Sequence, residues 1–282
     1  MQPGELAAQA RTVAQLGDIV QAMRTLAGAR RHQAQERFCG LEGYADATRA
    51  VLGQALALLP ASEAAAPALS ATRRVVVLFS EHGFVGPLND RLLDKALALC
   101  RNGDASLVAV GSRGRRLCHE RNAEVSDGGA MPTTIAAVQA TSQRLIEDLF
   151  GAVSEGVGES YVVFAEHEPP VAWEPRALRL FPPDVQTAEK SNDGVAPIHT
   201  LAPHVLVAKA IEEYAFAQIG WAVGEAFACE QAARFVAMDA ARHHIEDKLG
   251  ELRALERQLR QESITSEIIE IASGAESSEV PS

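Results

Sequence analysis

Residues that build large β cores are scarce in this sequence. Aromatics make up only 5% of it while alanine abounds, which suits close helix packing better than a broad sandwich. Cys39, Cys100, Cys118 and Cys229 are scattered, with no CxxC pair and no dense framework, so a disulfide scaffold is excluded and four reduced thiols in a cytoplasmic protein are expected. There is no basic excess: the net charge is -11 and the pI near 5.2, which argues against nucleic acid as a partner. Long hydrophobic runs are missing too. The most apolar window, Ala215 to Val223, falls far short of the roughly 20 residues a bilayer span needs, so no membrane insertion is expected. The N-terminus lacks the basic-then-apolar pattern of a signal peptide. What remains is 47% hydrophobic with a mean hydropathy of -0.02, enough to bury a core.

Proline is also withheld from two long stretches. None occurs between Pro203 and Pro281, and only Gly220, Gly224 and Gly250 weaken the helix predicted from Val205 to Gly274. At about 1.5 Å per residue, such a helix runs roughly 100 Å. Met238, Ile245, Leu252 and Leu259 recur at steps of seven, flanked by Ala241 and Leu255. A seven-residue apolar repeat is the seam of a left-handed coiled coil. Lys248 interrupts it, and Leu249 can partly take over. The partner is expected in Gly4 to Leu59, ended by Pro60, where Leu6, Val13, Val20, Ala27, Ala34 and Leu41 repeat every seven residues. Leu16, Met23, Arg30 and Arg37 are read as the companion column, so the seam is expected to leak in its middle. The arginines of this helix fit a solvated face equally well.

Between the helices the chain changes character. Pro60 to Thr72 reads as a linker, and Val75 to Phe79 as a strand buried on both faces. A glycine-bearing turn, Glu81 to Leu88, leads to Asn89 as N-cap of a helix to about Cys100. Ser106 to Val110 is a second strand, followed by a turn at Gly111 to Gly114 and a short helix. After a loop at Gly128 to Pro132, Thr133 or Thr134 caps an amphipathic helix carrying Ile135, Val138, Leu145, Ile146 and Leu149. Tyr161 to Ala165 is a third strand and Ala177 to Phe181 a fourth. Alternating strands and helices imply a mostly parallel sheet. The fold class is therefore mixed α+β and α/β: a long antiparallel coiled coil of N- and C-terminal helices plus a central Rossmann-like α/β domain. Its expected divisions are 1–60, 73–182 and 204–274, with a polar tail at 275–282.

Chemistry has few footholds. Gly111-x-x-Gly114 follows a strand, but Ala109 stands where the first glycine of a dinucleotide fingerprint would fall, and no GxxxxGK[ST] loop exists. His243-His244 lacks the glutamate spacing of a zinc protease and reads as a solvated pair. Glu81-His82 could suggest acid–base work, yet no nucleophile with a base stands nearby, and a plain turn at a strand end fits as well. Gly220-x-x-x-Gly224 permits close helix packing. No catalytic residue, cofactor or metal site is expected.

Two runs carry a resemblance. Glu230-Gln231-Ala232-Ala233-Arg234-Phe235-Val236-Ala237-Met238 closely resembles the signature of the gamma subunit of rotary F-type ATP synthases, and Arg260-Gln261-Glu262-Ser263-Ile264-Thr265-Ser266-Glu267-Ile268-Ile269-Glu270-Ile271 is similar to that family's C-terminal motif. Ile19 to Met23 with Ala27, Val108 to Arg115, and Ser80 to Asn89 are weaker echoes, so the likeness covers nearly the whole chain. Two departures stand out. Asp18 and Gln21 flank Met23 where the family commonly has lysines, and Glu81-His82-Gly83-Phe84-Val85-Gly86-Pro87-Leu88-Asn89 replaces a turn that usually reads roughly DRGLCGGLN. They imply a divergent branch, of which an alternate ATPase is one form.

The resemblance implies a non-catalytic central-stalk rotor subunit. Its coiled coil would stand inside the ring of alpha and beta subunits, and its middle domain would sit on the membrane c-ring beside the epsilon subunit. The complex would lie on the cytoplasmic side of the inner membrane, peripherally bound. Ion flow would turn the shaft, whose asymmetry forces the beta sites through different nucleotide affinities. By resemblance, Met23 and Arg234 lie near the mouth of the ring, and Arg260, Gln261, Thr265 and Glu267 make polar contacts with its loops. Ile264, Ile268 and Ile271 form an apolar stripe for a sleeve in another subunit. Two other readings remain open from the residues alone: an α/β small-molecule enzyme with a helical stalk, and a non-rotary coiled-coil scaffold.

Overall fold

The computed structural model describes residues 3–60, 72–101, 104–168, 171–184 and 199–278; the side chains at 3, 171–172 and 271–278 are not described. In chain order the elements are α1 (Pro3–Phe38), α2 (Leu41–Ala57), β1 (Arg73–Leu78), α3 (Leu88–Cys100), β2 (Ala105–Val110), α4 (Ser112–Glu120), β3 (Ser126–Asp127), a 3-10 turn (Ile135–Ala137), α5 (Val138–Ser154), β4 (Glu159–Glu168), β5 (Val171–Phe181) and α6 (Pro203–Ser278). The chain divides into two compact units, one of Met1–Leu26 with Phe235–Ser282, the other Ala27–Arg234. The expected polar tail from Ala275 and the side chain of Ile271 lie outside the described side chains.

In the first unit the two helices run antiparallel. Gly17 stands opposite Ile245, whose Cγ2 would lie 3.2 Å from a Cβ added to the glycine, and Arg24 stands opposite Asp239. Leu6 is fully buried, Val13 and Val20 half-buried, and Met238 and Leu252 buried, so the seven-residue columns face inward as their period requires. The companion column differs from expectation. Heptad steps alternate three and four, and the seam is reached four residues on from Val13, at Gly17, not three. Ala10, Gly17 and Arg24 are half-buried, whereas Leu16 is 51% exposed; Met23 and Arg30 of the expected column are half-buried as well. α6 follows the same offset: Arg242, Leu249 and Glu256 are half-buried, Ala241 likewise, while Lys248 and Leu255 are exposed. Sequence period fixes the columns but not which neighbouring face turns inward; the close approach at Gly17 does. The arginine that does stand on the seam in this unit is paired: Arg24 Nε donates to Asp239 at 2.7 Å, and the guanidinium lies 4.7 Å from the Phe235 ring centre.

In the second unit the first helix is not continuous, as had been expected, but breaks at Cys39–Gly40 before α2. Glycine is a poor helix former, and a Cβ on Gly224 of α6 would already crowd Phe38 and Leu41 at 3.2 Å, so the chain steps aside there. Beyond the break Ala45, Thr48, Leu52 and Ala55 continue the buried stripe. The five-stranded sheet has the order β3-β2-β1-β4-β5, parallel except for the β4–β5 pair. Val75 through Leu78 are all buried, as a strand covered on both faces demands. Val76, Leu78, Val108, Val162 and Phe164 face α2, α5 and α6, where Tyr214, Trp221 and Phe227 complete the larger core. Val75, Val77, Phe79, Leu107 and Ala109 face α3, with Leu92, Leu93 and Ala96. Two caps differ from expectation. α3 starts at Leu88, so Asn89 lies inside its first turn; the Asn89 side chain reaches back, accepting from Ser80 N at 3.0 Å and donating to Ser80 Oγ at 2.8 Å. Thr134 precedes the 3-10 turn without a side-chain cap, and α5 begins only at Val138.

Candidate functional site

The strand order reverses at β1, between β2 on one side and β4 on the other. In open α/β sheets the crevice at the carboxyl ends of the strands beside such a reversal is where ligands sit. Here α6 crosses those ends. His167 N, in the last part of β4, donates to Glu225 at 2.7 Å, and Glu81 N, just past β1, donates to Glu230 at 3.2 Å. Arg234 then closes the space from the next turn of the helix. Its guanidinium meets Glu230 Oε1 at 2.5 Å and Gln231 Oε1 at 3.1 Å, and donates to the carbonyls of Gly83 at 3.3 Å and His82 at 3.4 Å. The side chains of Arg234 and Glu230 are 7% and 4% exposed. A buried ion pair survives only when its remaining lone pairs and protons are also bonded, and this one is supplied by the backbone of the turn. The first resembling run is thus the stretch by which α6 grips the β1 turn, and Arg234 faces inward.

Glu81 is the second member of this network. Its carboxylate accepts from Ser112 N at 3.2 Å, from Met131 N at 2.9 Å and from the Ser112 hydroxyl. It therefore caps α4 and ties the loop before α5 to the turn after β1. Burial alone would push its carboxyl pKa up, but the hydrogen bonds from Ser112 and Met131, and the nearby His82, hold it below the usual value. The group's folded pKa is depressed, so its contribution to stability is present above the usual carboxylate range and is lost as pH falls through the folded value. Glu81→Gln should lower the melting temperature by a few degrees at neutral pH, and the gap to the parent should narrow in melts at acid pH, as the pH falls through the depressed folded value. An equal gap at both pH values would show that the charge is not what the site uses.

The glycines that invited a nucleotide reading have a packing reason. Gly111 has φ 104°, and a Cβ on Gly114 would stand 1.9 Å from Phe79 Cγ, so α4 lies directly on the end of β1. In the same turn Phe84 adopts φ 61° and is 65% exposed, a non-glycine residue held in the left-handed region. Neither the Glu81 cap nor the Phe84 conformation is legible in residue spacing. The family echo at Ser80 to Asn89 marks the place but not the geometry.

The other expected residues lie in the first unit. Met23 is half-buried on α1. The pairing of Gly17 with Ile245 carries the start of α1 to the level of Leu259, after which every described side chain of α6 through Glu270 is exposed. Arg260 is held by an ion pair to Glu256 at 3.1 Å, and Thr265 donates to the Gln261 carbonyl at 2.8 Å. Gln261 and Glu267 are exposed, as are Ile264 at 51% and Ile268 at 61%. His243 and His244 are exposed, the first against the Asp239 carbonyl. No helix among the described residues is long and apolar enough to cross a membrane.

A family model described as ATP synthase matches residues 3–277. The ATP synthase gamma chain of Chlorobium limicola is 27% identical over 273 residues, covering 92% of this chain and 92% of that one. That of Moorella thermoacetica is 27% identical over 283 residues, covering 96% and 97%. Among solved structures, a chain of the Euglena gracilis mitochondrial ATP synthase in an OSCP/F1/c-ring assembly superposes with TM-score 0.70 at 13% identity, covering 99% of this chain and 97% of that chain. A chain of the Tetrahymena thermophila mitochondrial central stalk with its c-ring superposes with TM-score 0.57 at 16% identity, covering 79% and 99%.

Proposed function

The chain belongs to the family of ATP synthase gamma chains, central-stalk rotor subunits, and on that premise we propose that it turns between a c-ring and an alpha–beta hexamer without catalysing any step itself. The observation that carries the reading is the end of α6, which continues past α1 with isoleucines 264 and 268 bare on one face. Two such side chains on a solvated helix are each worth about 1.5–3 kcal/mol when buried, so they await a sleeve in another subunit. Met23 and the exposed Arg260, Gln261, Thr265 and Glu267 are the polar and apolar contacts with the ring; Arg234 acts from within, by holding the β1 turn against α6. A rotor couples sites when each orientation makes different contacts with the three catalytic interfaces, and an asymmetric pair of helices meets that requirement. The epsilon subunit docks on the sheet-bearing unit, and the complex is bound peripherally on the cytoplasmic face of the inner membrane.

The non-catalytic role is supported by the plugged crevice and the missing phosphate loop. The test has two arms. Co-expressed with alpha and beta subunits, the chain should co-purify with the hexamer and raise its ATP hydrolysis; failure to co-purify overturns the rotor reading. Calorimetry of the isolated chain with about millimolar ATP and magnesium should show no heat of binding, and a micromolar Kd would overturn the non-catalytic assignment.

A further inference from the structure

The step from α1 to α2 lies over a cavity of about 270 Å³, which α6 and the end of β4 close from the other side. Ala34 and Phe38 of α1, with Trp221 and Ala228 of α6, form the apolar part of its wall. Glu42 of α2, Glu166 of β4 and Glu225 of α6 supply carboxylates from three separate elements, against the one guanidinium of Arg31 among the described residues. The grip of α6 on the β1 turn lies further along the helix, at Glu230 and Arg234, and does not use this space. Each carboxylate has room for a further partner. Glu42 is exposed, with no hydrogen bond or ion pair among the described residues. Glu166 meets Arg176 through Oε1, and Glu225 accepts from His167 N at 2.7 Å and the Cys229 thiol at 3.7 Å through its own Oε1, which leaves the second oxygen of each to accept again. Burial pushes the Glu166 carboxyl pKa up, Arg176 pulls it down, and repulsion from Glu225 and Glu42 adds to the rise, so that it stands above the usual value. The three carboxylates therefore feel one another across the cavity, and positive charge placed there relieves the repulsion.

From this arrangement we infer that the cavity binds a small aliphatic diamine, its methylene chain against Phe38 and Trp221 and its two ammonium ends on carboxylates of different elements. Small-molecule sites are concave and mostly apolar, with a few polar groups that fix orientation, and the two kinds of wall here divide in that way. An ammonium group carries three donors and no acceptor, which matches oxygens that can only accept. A bare metal ion fits less well. No group of three or more His, Cys, Asp or Glu among the described residues is placed to hold one, so the carboxylates suit charges set apart on a chain rather than one compact ion. The size of the cavity, at the lower end for ligand sites, sets the length of that chain at a few methylenes.

The inference goes beyond the rotor reading and does not depend on it, because its test needs neither ring nor ATPase. Calorimetric titration of the full chain with 1,4-diaminobutane should show saturable one-to-one binding with a Kd of about 1 mM or tighter, and the melting temperature should rise as the diamine is added. Glu42→Gln, an exposed change, should weaken binding about tenfold while the free chain melts with the parent. Ala228→Phe should fill the cavity and abolish binding. Butane-1,4-diol has the same length without the charge and should not bind, and magnesium chloride at the same concentration should not compete. Absence of heat and of a thermal shift with the parent overturns the site, as does equal binding of the diol. Parent-like affinity in Glu42→Gln, or binding that survives Ala228→Phe, would show attraction to the acidic surface at large and overturns it too. Competition by magnesium would replace the diamine site with a metal site.

Discussion

Ile268→Asp abolishes stable assembly with the alpha–beta ring while the isolated chain melts within about 2 °C of the parent, since an exposed substitution shifts stability by no more than about 0.5 kcal/mol. Ile268 is 61% exposed on α6, beyond the level at which α1 begins, and Ile264 lies one turn before it on the same face. Removing a buried isoleucine from an interface forfeits about 1.5–3 kcal/mol, and placing a carboxylate in the same sleeve adds a desolvation cost of several more. At 1.4 kcal/mol per tenfold, affinity for the ring should drop at least ~100-fold, measurable by gel filtration of the reconstituted complex. Deleting residues 275–282 should change neither assembly nor melting. Should Ile268→Asp instead unfold the isolated chain as a core mutation does, the stripe packs within the chain and the sleeve contact fails.

How far the sequence reached depended on the kind of information each feature carries. The seven-residue columns through Leu6 and Leu252 were legible because burial repeats with a fixed period. Which adjoining column turned inward was not, because Leu16 and Gly17 are one residue apart and only the partner helix distinguishes them. Hydrophobicity favoured Leu16; the close approach of the Ile245 side chain favoured Gly17. The buried strands were legible from unbroken runs such as Val75 to Leu78, but of β5 only the second half, Ala177 to Phe181, was read, and its antiparallel direction was not. The break at Cys39–Gly40 escaped because one glycine in a long helical pattern is ordinarily tolerated. At the candidate site, family likeness singled out Arg234, but whether an arginine faces a partner or its own chain is decided by contacts with residues some 150 positions away, which no local pattern records. Glu81 shows the same limit. Its ligands come from Ser112 and Met131, on elements that meet only after the sheet has formed.

The buried pair on α6 carries the largest expected effect on stability. Arg234→Met keeps the length of the side chain but strips Glu230 of its counter-charge while 4% exposed, and leaves the carbonyls of His82 and Gly83 without their donor. Removing one partner of a buried pair costs about 3–5 kcal/mol. For a chain of this size each kcal/mol moves the melting temperature by about 2–4 °C, so a fall of roughly 10 °C is expected. Adding Glu230→Gln to Arg234→Met should recover much of that loss. The stranded charge is gone, and the introduced side-chain carbonyl still accepts from Glu81 N where the carboxylate did at 3.2 Å. Hydrogen exchange at residues 81–86 should rise in the single variant and return toward the parent in the double, because α6 would hold the turn again through that remaining bond in place of the ion pair. A single variant that melts with the parent would mean that the guanidinium is not the clamp on the β1 turn, and a double variant less stable than the single would mean that the charge on Glu230 stabilises the turn by itself.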